Sequence, residues 1–377
     1  MADEATNRDS LRWQAEFCAK SGMTIITRIC AGLAEALDHN SRTGARALEW
    51  PGDPIAAALP LRLVGGLHAL YRARRVLAPV FEGGETDPVA IAAAIGATLV
   101  AHDDELYPWL DGPPQTNEAA RSAVLMAGLL ALAERFRDGL GTPVRFELLE
   151  IGSSAGLNLM IDRYGFDLGG VRVGPEDALI RITPEWRGPP PPDVPIEIAS
   201  TRGVDIAPID VADEAAAERL MAYVWIDQQD RLERTTQAIA MARAGPPRLE
   251  QGDAAGWLEA RLAEPQAENT ARVLMHSIVW QYLPAEGQRR IEAAMAAAGA
   301  KATPERPLGW VRYEADRALK THRLTIRSWP GEGAAEDLAG AHPHAAWVSW
   351  EGLAPDSGLV ARCGHSNAHT ALRRQGR

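Results

Sequence analysis

Apolar positions recur near helical spacing through the first third of the chain, at Trp13, Phe17, Ile25, Ile29, Leu33 and Leu37, and the same texture continues over 59–76. Strand signals are nearly absent there. A further helix, capped by Thr116 or Asn117, carries Val124, Leu125, Leu129, Leu132 and Phe136 and ends at Gly139 and Gly141. From Val144 onward, β-type runs alternate with helical ones, the pattern of a parallel sheet with crossover helices. Strands are predicted over 145–151, 196–205, 248–251, 272–276 and 309–313, and helices over 213–243, 254–262 and 285–298. The last two strands, 323–329 and 346–351, are expected to pair antiparallel at one sheet edge.

Between Tyr164 and Pro195 lies an insertion. GFDLGGVRVGPED reads as a hairpin or loop, and RGPPPPDVP as a stiff exposed connector. The expected fold class is therefore α/β. A helical N-terminal domain or cap spans 1–140, and a mostly parallel Rossmann-like sheet with an antiparallel edge strand spans 141–377. No internal repeat is found.

A length of 377 residues fits two such parts, and 46% hydrophobic with 24% charged residues provides for a sizeable core. The opening MADEATNRDS has no apolar stretch behind it, and the nearly uncharged run over 123–133 is far shorter than a membrane span. A soluble, cytoplasmic protein is expected. Cys18, Cys30 and Cys363 are odd in number and lack paired spacing, which fits reduced thiols. The net charge of −11 argues against nucleic acid as a partner, and Arg72, Arg74 and Arg75 read as the solvated side of a helix. The expected partner is a small-molecule substrate, with the oligomeric state left open. His342, His344, Cys363 and His365 form H-x-H and C-x-H pairs, whose single-residue gaps are unlike those of structural zinc sites, so no metal is assigned.

The densest chemistry lies in ELLEIGSSAGLNL, residues 147–159, where an apolar strand, a small-residue turn and the start of a helix follow one another. In one reading Gly152 and Gly156 let a cofactor lie against bare backbone, a device that dinucleotide and S-adenosylmethionine proteins share. In the other, G-S-S-A-G matches G-x-S-x-G and makes Ser154 a hydrolase nucleophile. The chain before Glu147 is helical and lacks an HGGG-like element, so the strands a hydrolase places ahead of its nucleophile are missing. The cofactor reading finds more. Asp205 ends the second strand, where an acid accepts ribose hydroxyls. Asp253 follows the third, with the Ala254 amide placed for an adenine. His276 and Ser277 end the fourth.

Glu150-Ile-Gly-Ser-Ser-Ala-Gly, Gly-Val-Asp205-Ile-Ala-Pro and Gly-Asp253-Ala resemble the first three motifs of the S-adenosylmethionine-dependent methyltransferase superfamily, over roughly 144–353. The whole chain, including PPQTNEAARS and WVSWEGLAP, further resembles an uncharacterised bacterial family known only as a domain of unknown function. The first resemblance implies a strand antiparallel to the rest at 346–351, and S-adenosylmethionine held by Glu150, Gly152, Ser153, Ser154, Gly156, Asn158, Asp205, Asp253 and Ala254. Two departures stand out: Ser154 replaces a usual glycine, and the insertion separates the first motif from the second.

Each residue also has a plainer reading. The two glycines ease a tight crossing, Asp205 serves a turn, Asp253 caps a helix, and Asn158 is solvated. Gln115, Asn117, Glu118 and Arg121 either fold over the cofactor's methionine end, with Arg121 on its carboxylate, or cap an ordinary helix. His276 is the candidate base, or a crevice histidine bonded to backbone. Ser277, Trp280 and Tyr282 shape an acceptor pocket, or the aromatics simply pack, as Trp329, Trp347 and Trp350 do at the sheet edge. The resulting expectation is an S-adenosylmethionine-binding methyltransferase acting on a small molecule. The alternatives are a non-catalytic ligand-binding relative and a serine hydrolase.

Overall fold

In the computed structural model, which describes residues 3–353 apart from 317 and 320, the helical pattern at the start becomes seven helices. They are α1 (Glu4–Lys20), α2 (Thr24–Ala36), α3 (Arg42–Leu48), α4 (Leu59–Arg74), α5 (Ala78–Phe81), α6 (Pro88–Ala101) and α7 (Asp103–Leu106). Asp3 and Asp87 start α1 and α6 by accepting first-turn N–H bonds. Leu11, Ile26, Ile29 and Leu33 fill the bundle's own core. Trp13 and Phe17 do not join it. They stack on each other at the surface, each 50% exposed, because the inward stripe of α1 is Asn7, Leu11, Ala15 and Cys18 and Trp13 lies about 200° around the helix from Leu11.

The next helix, α8 (Arg121–Leu140), is buried on nearly every side from Arg121 to Ala133 and packs on the sheet. A β-carbon at Gly128 would stand 2.6 Å from Val311, so the glycine lets helix and sheet close up. The strands are β1 (Val144–Ile151), β2 (Gly165–Leu168), β3 (Val171–Val173), β4 (Arg181–Ile182), β5 (Glu185–Arg187), β6 (Ile196–Asp205), β7 (Leu249–Gln251), β8 (Ala271–Ser277), β9 (Leu308–Asp316), β10 (Thr321–Trp329), β11 (Glu336–Ala341) and β12 (Trp347–Trp350). The large sheet runs β5-β12-β11-β10-β9-β8-β1-β6-β7. Its half from β9 to β7 is parallel throughout.

The other half departs from the expected single antiparallel edge strand. β9, β10, β11 and β12 form an antiparallel meander, and β5, from the insertion, closes the edge parallel to β12. The runs 323–329 and 346–351 therefore do not pair with each other. Between them lies β11, whose EDLAGA sequence has weak strand propensity and is held by the buried contacts of Leu338, Ala339 and Ala341. The rest of the insertion makes a small sheet ordered β3-β2-β4.

The helix expected over 213–243 is two helices, α9 (Glu214–Ala222) and α10 (Gln229–Ala244). The break turns Asp227 toward the bundle, where its carboxylate accepts the N–H groups of Ile25 and Ile26, both at 2.9 Å, at the start of α2. α8, α9 and α10 share one core with Val144, Phe146 and Leu148 of β1. α11 (Ala254–Ala263) and α12 (Ala285–Gly299) cover the opposite face over Leu149 and Ile151. Alternate β1 residues thus face different helix layers. Among the described residues no helix is long and apolar enough to cross a membrane.

Candidate functional site

The parallel strands end together at one edge, where ligands of open α/β sheets bind. After β1 the backbone turns through Gly152 (φ 69°), Ser154 (φ 54°) and Gly156 (φ 73°). The expected helix start is only a kinked 3-10 segment, Leu157–Arg163. Its entry is fixed by Asn117, whose Oδ1 accepts the Leu157 N–H at 2.8 Å, so Asn117 serves this turn and gives α8 no side-chain cap. Ser154 N donates to Asp205 Oδ2 at 2.8 Å, and Ala207 N to Asp205 Oδ1 at 2.9 Å. The glycines are also hemmed in. A β-carbon on Gly152 would meet Val279 at 2.2 Å, and one on Gly156 would meet Pro247 at 2.7 Å.

Four polar residues at this turn, Glu150, Ser153, Ser154 and Asn158, are buried. Ser154 Oγ has no partner. Asn158, whose plainer reading is a solvated residue, is buried and accepts the Ser122 hydroxyl at 3.0 Å. Burial pushes the Glu150 carboxyl up to about 7 against the opposing bonds from Ser153 and Asn158, and its Oε2 lacks a partner. Ser153 Oγ itself donates to the Glu150 carbonyl at 3.2 Å. At the end of β7, Asp253 caps α11 through the Gly256 N–H at 2.8 Å, with Ala254 the first helical residue. Ile206, beside Asp205, is 73% exposed, a feature the sequence reading passed over.

On the α12 side, His276 is fully buried, and its Nδ1 bonds the Glu314 carboxylate at 2.6 Å instead of backbone. Glu314 also accepts the Val279 N–H at 3.1 Å. The imidazole stacks on Trp280 at 5.4 Å, and its buried Nε2 has no partner. The Arg312 guanidinium covers the rings of Trp280 and Trp310. Ser277 is buried beside this group, whereas Tyr282 is 70% exposed and walls nothing in. Ile278, between them, holds φ 53°. A β-branched residue in that region costs roughly 1 kcal/mol or more, and such strain gathers at ligand sites.

The head of α8 is no solvated turn, since Asn117, Glu118 and Arg121 are all buried. Gln115 Nε2 donates to the Ala207 carbonyl at 2.7 Å, next to Asp205. Glu118 pairs with Arg231 and with Arg234, the latter at 3.1 Å. Burial alone would raise its carboxyl, but the two guanidiniums outweigh that and hold it below its ordinary value. Among the described residues, the Arg121 side chain makes one hydrogen bond, from Nε to the Pro343 carbonyl at 2.9 Å. The His342 and His344 rings lie 5.4 Å apart, edge to face. Cys363 and His365 lie outside the described residues, within which no three His, Cys, Asp or Glu groups are arranged to hold a metal.

The strained turn at Ser154 is the feature a nucleophile elbow needs, but the hydroxyl touches no base. The arrangement as a whole sets the carboxylates of Asp205 and Asp253 at the ends of β6 and β7, and an imidazole fixed by Glu314 at the end of β8. A profile described as "Uncharacterized protein conserved in bacteria (DUF2332)" matches residues 8–350. No curated protein and no solved structure matches the chain.

Proposed function

We propose, for a chain that belongs to the DUF2332 family of bacterial proteins, that it binds S-adenosylmethionine at the edge of β1, β6 and β7 and methylates a small molecule beside β8. The observation that carries this reading is the Ser154 N to Asp205 Oδ2 bond, which joins the glycine-rich turn to the acid of the next parallel strand. The residues fit the cofactor. An ionised carboxylate has about four acceptor positions, so Asp205, with two N–H groups on it, retains capacity for two ribose hydroxyls. Exposed Ile206 offers a flat apolar face for adenine, and the partnerless Ser154 hydroxyl lies at the turn itself. The unbonded end of the Arg121 guanidinium suits the methionine carboxylate.

Bound there, S-adenosylmethionine would supply a methyl group on a cationic sulfur, open to in-line displacement. The chain's own share is alignment, dryness and a proton acceptor. Glu314 fixes the His276 ring with Nδ1–H toward itself, so that Nε2, buried here, takes a proton from an acceptor hydroxyl or amine once the covering side chains move aside. Trp280 stacks over that ring and shields it from water.

Val279 and Pro247 favour a second reading, in which the two glycines serve packing and the protein is a non-catalytic relative. Titration calorimetry with S-adenosylhomocysteine separates the two. The proposal expects one-to-one binding and a raised melting temperature, with Asp205→Asn weakening affinity at least about tenfold. Absence of heat and of any melting shift at millimolar ligand sinks it.

A further inference from the structure

A cavity of about 670 Å³ opens beyond the proposed cofactor site, between the head of α8, the first turns of α10, the β4–β5 connection and the turn joining β11 to β12. Its lining includes Arg181, Thr183, Gln228, Arg231, Arg234 and His344. The inner wall carries more positive than negative charge. One buried carboxylate, Glu118, lies between Arg231 and Arg234, and Arg121 stands close enough to feel the same field. Of the acids that also line the cavity, Asp227 faces α2 with both oxygens engaged, and Asp230 is exposed at the rim. Arg231 and Arg234 are part-buried and share this one carboxylate, which leaves guanidinium N–H groups able to take a further anion.

A further observation points to a ligand. The N-cap of α10, Gln228, makes no side-chain cap bond, and among the described residues the amides of Gln229 and Asp230 make none either, so a sixteen-residue helix presents bare N–H groups here. His344 lines the same wall half-buried, with its Nδ1 turned into the protein.

We infer that this cavity binds a small organic anion, its carboxylate or phosphate group held by Arg231, Arg234 and the start of α10, its remainder reaching Arg181 and Thr183 on the insertion. Burial, with Arg231 and Arg121 nearby, holds His344 well below the usual imidazole range, so the ring adds no positive charge of its own to this wall. The site stands independently of the proposed cofactor site: Asp205, Ser154 and His276 are not among its walls. It also gives the insertion a role, since Arg181 of β4 and Thr183 of the connection to β5 reach the cavity.

The test is calorimetry and thermal melting with citrate and with glycerol 3-phosphate, each against chloride at matched ionic strength and without any S-adenosyl compound. At least one probe should bind one-to-one, citrate marking a carboxylate site and glycerol 3-phosphate a phosphate site, with affinity falling as salt is raised. Arg231→Gln should weaken that binding about tenfold or more. Because this variant leaves Glu118 with one partner, Arg181→Ala is the companion: Arg181 is exposed and belongs to no buried pair, so the variant folds, and binding should still fall several-fold. The inference is overturned if neither probe raises the melting temperature above the chloride control, or if both variants bind as the parent does.

Discussion

Glu150, one residue short of the end of β1, is shut away from water, and burial lifts its carboxyl from 4.5 to about 7. In the unfolded chain the group ionises above about 4.5, so between the two values the folded protein holds a proton that the unfolded chain has lost. Stability must then fall as pH rises through this window and stay reduced above it, by about 3 kcal/mol. Glu150→Gln keeps the shape without the charge. The variant should melt well above the parent at pH 8, with the gap shrinking toward pH 4.5; a gap independent of pH would show that Glu150 is not held protonated. The acid was visible in the sequence because the strand-to-turn motif is local. Glu314, its counterpart on the other face, was not. It meets His276 only through the register of β8 and β9, which no run of neighbouring residues encodes. Ile206 escaped for another reason: alternation says which side of a strand a residue takes, but not that the chain leaves the sheet there with the side chain bare.

The seam between the bundle and the sheet layer is made by element ends. Asp227, in the break between α9 and α10, supplies the N-terminal bonds of α2, and His68 of α4 donates from Nδ1 to the Ala222 carbonyl at the end of α9, at 3.0 Å. Asp227→Ala should cost about 1–2 kcal/mol, read from denaturant unfolding, because two helix N–H groups lose their acceptor. Burial depresses His68 from 6.5 to about 4. The folded protein keeps this ring neutral while the unfolded chain takes up a proton below about 6.5, so stability is full above that pH and drains away as pH falls toward 4. In His68→Gln the loss over this interval should be smaller by up to about 3 kcal/mol; an unchanged acid melting profile would count against the buried ring. The interrupted helix was hidden from sequence because Val224–Ile226 keep it apolar across the break. β11 was hidden because its small residues carry neither helix nor strand signature.

At the scale of the molecule, the two hydrophobic cores differ in how soon their partners arrive. The bundle core draws on Leu11 to Leu110, with Trp225 and Ile226 packed against it, so its helices meet mostly near neighbours. The sheet core joins α8 to strands that end only at Trp350, and Trp347 pairs with Glu185 across the closing edge. A chain cut after Ala341 loses β12, leaving β5 unpaired and β11 bare; it should aggregate where the full chain stays dispersed, as size-exclusion chromatography would report. Equal dispersal would mean that the edge closes by other means.

The order of the chain turns the all-round burial of α8 into a problem of timing. During synthesis its twenty residues leave the ribosome before β1, β8, β9 and β10 exist, so for most of translation it is an apolar rod with no surface to lie on. A nascent chain paused after Leu140 should engage holdase chaperones and be cut readily within α8 by added protease. Protection should arrive late and abruptly, once Trp329 has cleared the exit tunnel.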